Sequence, residues 1–229
     1  RDRLYAIENL LPQSPVLTDH KQRLIEQTPA ASTTTVYLVL SAPPASLGLE
    51  HAESWVVADD PEDARKARDS ARAMPMDENI CEDAYWSKSS FEVTNYHLLD
   101  SSGGMVVILN SLDDIRHWPS RKTQRYREKK ARAADIMIRR LEKHYPNLVA
   151  HITYVEVSSP RTYLRYTNNT RGSGYGALVS PTSKPVMINN RFPIDNISFL
   201  SAWVSGSGYE ATMGYSRMLA LSSSIVSNT

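Results

Sequence analysis

The chain has 229 residues, 41% hydrophobic and 22% charged, with a formal net charge of +1. That composition excludes a disordered or fibrous chain, and the charge balance excludes a molecule built as a whole around attraction to nucleic acid or an anionic membrane. The longest apolar runs, Val36–Leu40 and Met105–Leu109, fall far short of the ~20 residues of a bilayer span, and one cysteine, Cys81, allows neither an intrachain disulfide nor a cysteine-cluster metal site. No secretory signal opens the chain, so a reducing, cytoplasmic setting is expected.

From Tyr5 to Glu26 the pattern is helical, divided by Pro12 and Pro15. The β-branched and apolar run Thr34–Leu40 reads as a buried strand and Ser54–Ala58 as another. Asp60-Pro61-Glu62-Asp63 carries a helix start signal: a capping acid, a proline at the first helical position and first-turn carboxylates. That helix is predicted to reach Ala73. Asn79–Ser90 reads as irregular, Phe91–Tyr96 as a half-buried strand and Gly104–Leu109 as a continuous one.

Arg121–Tyr145 is the longest predicted helix, because Tyr126, Ala133, Ala134, Met137, Leu141 and Tyr145 recur at three- and four-residue spacing. A strand at Ile152–Val157, a polar loop from Ser158 to Asn190, a strand at Ile197–Trp203 and a helix from about Tyr209 to Leu221 complete the pattern. The alternation predicts a mixed α/β layer architecture.

The long helix carries ten cations, from Arg121 to Lys143, against Glu128, Asp135 and Glu142. With no aromatic platform interleaved, a solvated helix face is the better reading than a phosphate-tracking surface, and no nucleic-acid partner is expected. A contact with acidic lipid head groups or an acidic partner is a third reading of the same face. Asp113 and Asp114, with His117 close by, could be taken for metal ligands, but no other His or Cys is near in sequence and the Asp pair reads better as acids starting a helix. Gly214-Tyr215-Ser216-Arg217-Met218 lacks the closing glycine of a nucleophile elbow.

Near the end, Gly206-Ser207-Gly208-Tyr209-Glu210-Ala211 stands between the predicted strand and the predicted helix. A strand, G-x-G-x-x-A, helix order lets backbone N–H groups approach a phosphate or another electron-rich group. It is too close to the end for a complete βαβ unit. The similar run Gly172–Ala177 is followed by Pro181 and reads as a loop.

Several segments together resemble the phytoene desaturase-like flavoproteins, a family that also holds carotenoid isomerases and retinol saturases. They are His144-Tyr145-Pro146-Asn147-Leu148, Tyr154 to Thr162, Arg165-Tyr166-Thr167, Gly172 with Tyr175-Gly176, and the closing stretch Phe199–Ala220. Looser similarity extends to Val36–Leu40, Leu47–His51 and Val93–Tyr96.

The resemblance implies a substrate-domain mixed sheet with helices over residues 1–157. Over 158–229 it implies a loop and the terminal strand–turn–helix of an FAD-binding domain. It implies FAD as cofactor, with Ala202, Trp203, Gly206, Gly208, Tyr209 and Glu210 at the flavin end and Tyr175 and Gly176 on a loop facing the ring. Arg165 and Tyr166 would contact a hydrophobic substrate. No N-terminal G-x-G-x-x-G is present. The chain therefore looks like the C-terminal half of such an oxidoreductase, in a hetero-oligomer whose other polypeptide supplies the dinucleotide motif. It departs from the family at Ser201, where a glycine is usual, at Val204–Ser207, and at Tyr215-Ser216, where the family has Ser-Gly. A non-catalytic scaffolding subunit is the alternative.

Overall fold

A computed structural model describes residues 3–25, 29–63, 65–66, 82–178, 194, 197, 199–205 and 209–226. The chain divides into two compact units, one of Thr33–Arg161 and one of Arg1–Ser32 with Thr162–Thr229. The architecture is mixed α/β, as the alternation predicts.

The Thr33–Arg161 unit is built on a five-stranded sheet. Its strands are β1 (Ser32–Leu40), β2 (Glu53–Val56), β3 (Phe91–Asn95), β4 (Val106–Asp113) and β5 (Ile152–Ser158), in the spatial order β2-β3-β4-β1-β5. Neighbours run antiparallel: Val36 faces Val157, Val56 faces Phe91 and Val93 faces Leu109. The Leu40 N–H donates to the Met105 carbonyl at one end of the β1–β4 pair, while Thr34 reaches Asp113 at the other.

The period-2 pattern of β4 sends Val107, Leu109, Ser111 and Asp113 to one buried face. Val36 and Leu38 of β1 and Phe91 and Val93 of β3 join them in the core.

Helix α5 (Gln124–Glu142) contributes to this core with the predicted stripe: Tyr126, Ala133, Ala134, Met137 and Leu141 are buried and Tyr145 packs beside them. Thr123 caps it, its hydroxyl accepting from the Tyr126 N–H at 3.1 Å. Residues 121–123 form a turn ahead of it, because Lys122 takes a left-handed φ of 71°.

Two of the ten cations are not on a solvated face. Lys129 is buried, its ammonium 5.6 Å from the ring centres of both Trp86 and Trp118. Arg140 lies 5.0 Å from the Phe91 ring and donates to the carbonyls of Trp86, Ser89 and Val57. Burial lowers its pKa below the ordinary arginine value, partly offset by Asp59. Arg140→Ala is expected to cost about 2 kcal/mol in urea unfolding, because three carbonyls lose a charged donor. Arg140→Lys recovers only part of it, lacking the planar fork. By contrast Arg139→Ala, which removes an exposed pair with Asp135, should stay within about 0.5 kcal/mol.

Two helices longer than a single turn arise where sequence reading expected none. Glu82–Lys88 is α3, inside the stretch expected to be irregular, and it places Trp86 in the core against α5. Pro160–Thr167 is α6, inside the expected polar loop. Its proline at the first helical position is a start signal that the polar residues around it obscured. Residues 61–63 and 65–66 are helical as predicted, with the Asp60 carboxylate accepting from the Glu62 N–H at 2.8 Å; the extension to Ala73 lies outside the described residues. Tyr96–Leu99 forms a single helical turn, α4, directly after β3.

In the other unit, α1 (Arg3–Asn9) and α2 (Pro15–Ile25) pack together through Ile7 and Leu17 and are tied by a Lys21–Glu8 ion pair of 2.8 Å. The chain closes with α7 (Ala202–Ser205) and α8 (Tyr209–Val226).

The predicted strand at Ile197–Trp203 is corrected here. Residues 197, 199 and 200 belong to no strand and Ala202–Ser205 is helical, so a helical turn stands where the strand was expected. The alternating apolar residues Ile197 and Phe199 pack on the Ile7–Leu17 cluster of α1 and α2. Alternation marks a buried face; it makes a strand only where a ladder partner is present. The start of α8 at Tyr209 agrees with the prediction.

Candidate functional site

The residues assigned to a flavin by resemblance fall on two segments of the Arg1–Ser32 and Thr162–Thr229 unit, and the structure brings parts of them together. The loop after α6 bends sharply: Asn168, Arg171, Gly172 and Gly176 all have positive φ. It is held by buried hydrogen bonds. The Ser32 hydroxyl donates to the Gly172 carbonyl, and the Ser173 hydroxyl donates to the Gly176 carbonyl at 2.9 Å. That same carbonyl accepts the Ala30 N–H at 2.8 Å, next to a bridge between Pro29 and Ala177.

Gly176 then lies directly on α7. A Cβ there would overlap the Ala202 carbonyl and come within 2.8 Å of the Trp203 nitrogen. Trp203 and Val204 are buried behind this contact. The Trp203 N–H donates to the Ser201 hydroxyl at 3.3 Å and the Val204 N–H to the Ser201 carbonyl at 2.9 Å.

Tyr175 stands at the rim of the loop, 40% exposed. Tyr209 opens α8 and Glu210 is exposed in its first turn, while Gly206 and Gly208 lie outside the described residues. Gly176, Ala202 and Trp203 are thus in contact, with Tyr175 beside them in the chain. Arg165 and Tyr166 sit on the exposed side of α6, where the guanidinium lies 5.1 Å from the Tyr166 ring centre. Sequence reading gave Ser32, Asn169 and Ser173, the residues that tie the loop, no part in holding it. Small polar residues in a loop give no signal until their partners, more than a hundred positions away for Ser32, are known.

The Thr33–Arg161 unit has two features of its own. Asp113 ends β4 with its carboxylate buried. It accepts from the Trp118 indole and the Asp114 N–H, both at 2.7 Å, and from the Thr34 hydroxyl, and lies 2.7 Å from His117 Nδ1. This acceptor is saturated by core donors and starts no helix. Asp114 does what was expected of the pair, accepting from the Arg116 N–H at the short turn Ile115–His117. Its carboxylate also grips the Arg116 guanidinium and raises that group's pKa. Among the described residues no cluster of three or more His, Cys, Asp and Glu side chains is arranged to hold a metal.

The second feature is the outer face of the sheet. There β1 presents Tyr37 and Val39, β4 presents Val106 and Ile108, and β2 presents Trp55, 63% exposed. β1 read as buried on both sides; this face of it is only half covered. Alternation within Thr35-Val36-Tyr37-Leu38-Val39 does not reveal it, because both sets of residues are apolar or β-branched.

On α5, Arg132 and Arg139 pair with Asp135, so the outer face is laced with ion pairs of both signs. A protein with this face is expected to elute from a polyanion column at low salt, and retention through moderate salt would argue for a nucleic-acid surface instead. No described helix is long and apolar enough to cross a membrane.

No family model matches the chain. Against curated proteins there is a distant likeness. It is to prolycopene isomerase. The chloroplastic enzyme of Arabidopsis thaliana is 33% identical over 95 residues, which are 39% of this chain and 16% of that protein. The chloroplastic prolycopene isomerase of Daucus carota is 33% identical over 95 residues, 39% of this chain and 15% of that protein. The chain thus spans about a sixth of the length of the curated relatives it matches. The likeness agrees at the level of family with the resemblance drawn from the residues, since carotenoid isomerases were among the proteins it named.

Proposed function

We propose that this chain is part of an FAD-dependent oxidoreductase of the desaturase or isomerase kind, acting on a hydrophobic substrate together with a polypeptide segment that carries the dinucleotide motif. One observation carries the reading: the close packing of Gly176 on Ala202, which joins the two segments that the resemblance places at the flavin. The distant match to prolycopene isomerase supports the same family, and the single cysteine suits a reducing compartment such as the cytoplasm.

The residues present suit such a group. Tyr175 offers an exposed aromatic ring, and α8 begins at Tyr209 with its positive dipole end on the side of the Gly206–Gly208 run. Ala202, Trp203 and the Gly206–Glu210 segment would hold the flavin end. The flavin, when bound, supplies hydride transfer at its N5; the protein binds it, excludes water and orients the substrate. Arg165 and Tyr166, on the exposed side of α6, would supply polar contacts to the substrate.

A second reading is a scaffolding subunit without catalysis. It is favoured by Ser201, whose hydroxyl takes the Trp203 N–H that a glycine at this position would leave for a ligand.

The test is co-purification with the polypeptide carrying the G-x-G-x-x-G motif. Visible flavin absorbance that accompanies the pair and disappears with Gly208→Trp is expected for a flavin-binding chain. A coloured partner indifferent to that substitution would make this chain the scaffold. A pair without flavin would end the oxidoreductase reading.

A further inference from the structure

Ser173 is fully buried in a loop whose next two residues are exposed. Its hydroxyl donates to the Gly176 carbonyl at 2.9 Å, and its own carbonyl accepts from Asn169 Nδ2 at 3.0 Å. The serine therefore closes a short arch, fixed at one end by Asn169 and at the other by Gly176. The Ser32 hydroxyl at the start of β1 and the Ala30 N–H just before it fasten the same arch. Arg171, Gly174 and Tyr175 are its exposed residues, and a Cβ at Gly174 would meet nothing within 4 Å.

Non-glycine residues with left-handed backbone stand just before the arch, at Asn168, and within it, at Arg171. Such conformations persist only where surrounding contacts over-determine them. The arrangement spends buried hydrogen bonds on holding one exposed aromatic residue.

We propose that Ser173 is a positioning residue, which holds the Tyr175 ring as a preformed stacking platform for the flavin's planar ring. The inference rests on the flavin reading above. A rigid aromatic side chain presented in advance loses little freedom on binding, so the contact is made with less ordering than a free loop would need. Tyrosine stacked on a flavin also quenches its emission by electron transfer to the excited ring, and this gives a readout independent of turnover.

The experiment uses the complex purified with its flavin and reads emission per absorbing flavin. Tyr175→Ala is expected to raise emission several-fold, Ser173→Ala to raise it in the same direction, and the double variant to match Tyr175→Ala alone. Should Ser173→Ala not fold, Asn169→Ala removes the donor to the Ser173 carbonyl and is expected to give the same rise.

A serine that merely stabilised the fold would lower the unfolding midpoint and leave the emission of the folded, loaded complex unchanged; that result overturns the proposal. So does unchanged emission in Tyr175→Ala, which would put the ring away from the flavin. Both failures occur with flavin bound. Failure of the flavin reading shows earlier and separately, as a wild-type complex with no flavin absorbance.

Discussion

Gly176→Ala is expected to destabilise the unit that contains it by about 2–5 kcal/mol and, on the proposed flavin reading, to strip flavin from the complex. Two independent costs add. The backbone at φ +79° is a conformation in which an L residue loses about 1–2 kcal/mol. The new methyl would also meet the Ala202 carbonyl and the Trp203 nitrogen, which are backbone atoms that no rotamer change can move aside; overpacking of this kind costs about 1–3 kcal/mol.

The control is Gly174→Ala two residues earlier. Open space surrounds that position and its φ is not left-handed, so the change should stay within about 1 kcal/mol and can even stabilise by restricting the unfolded chain. Urea unfolding of the two variants, followed beside flavin absorbance, reads both effects. Equal behaviour of the two would mean that the loop does not pack on α7 as described.

The second large effect is expected at Asp113. Its carboxylate gathers the Thr34 hydroxyl, the Trp118 indole, the Asp114 N–H and His117 Nδ1 around one buried acceptor. Asp113→Ala leaves these groups facing an apolar methyl. Removing one partner of a buried, hydrogen-bonded pair costs about 3–5 kcal/mol, because the remaining polar groups stay desolvated. Asp113→Asn should lose less, since an amide oxygen still accepts while its NH2 opposes at least one donor.

Trp118 stacks edge-on against Tyr126 and tilts against Trp86, so near-ultraviolet circular dichroism should report the loss directly. Asp114→Ala, one residue on, removes a half-buried cap and an ion pair, and should cost only about 1 kcal/mol. A small effect at Asp113 and a large one at Asp114 would reverse the assignment of core and cap.

Periodicity served well wherever an element buries one face against its own neighbourhood. The stripe of α5 was legible because Tyr126, Ala133, Ala134, Met137 and Leu141 repeat with the helical turn. The capping acid Asp60 and the start of α8 followed from local chemistry in the same way. Helices α3 and α6 escaped because seven or eight residues hold too few turns to show a stripe.

Charge was read only by type. The ten cations of the long helix look alike in sequence, yet Lys129 and Arg140 turn inward, drawn by indole faces and by backbone carbonyls that belong to distant segments.

The candidate site divides along the same line. The sequence by itself determined which residues carry the flavoprotein resemblance, the G-x-G-x-x-A run and the helix that follows it, since these are local patterns. Tertiary structure alone decided that Gly176 meets Ala202, that Ser32 and Ser173 fasten the loop, and that Ile197 and Phe199 cover a helix pair and enter no sheet. Each of these depends on a partner far away in the chain. An apolar or polar side chain announces that it needs a partner, but only the fold supplies one, and with it the conformation the residue takes.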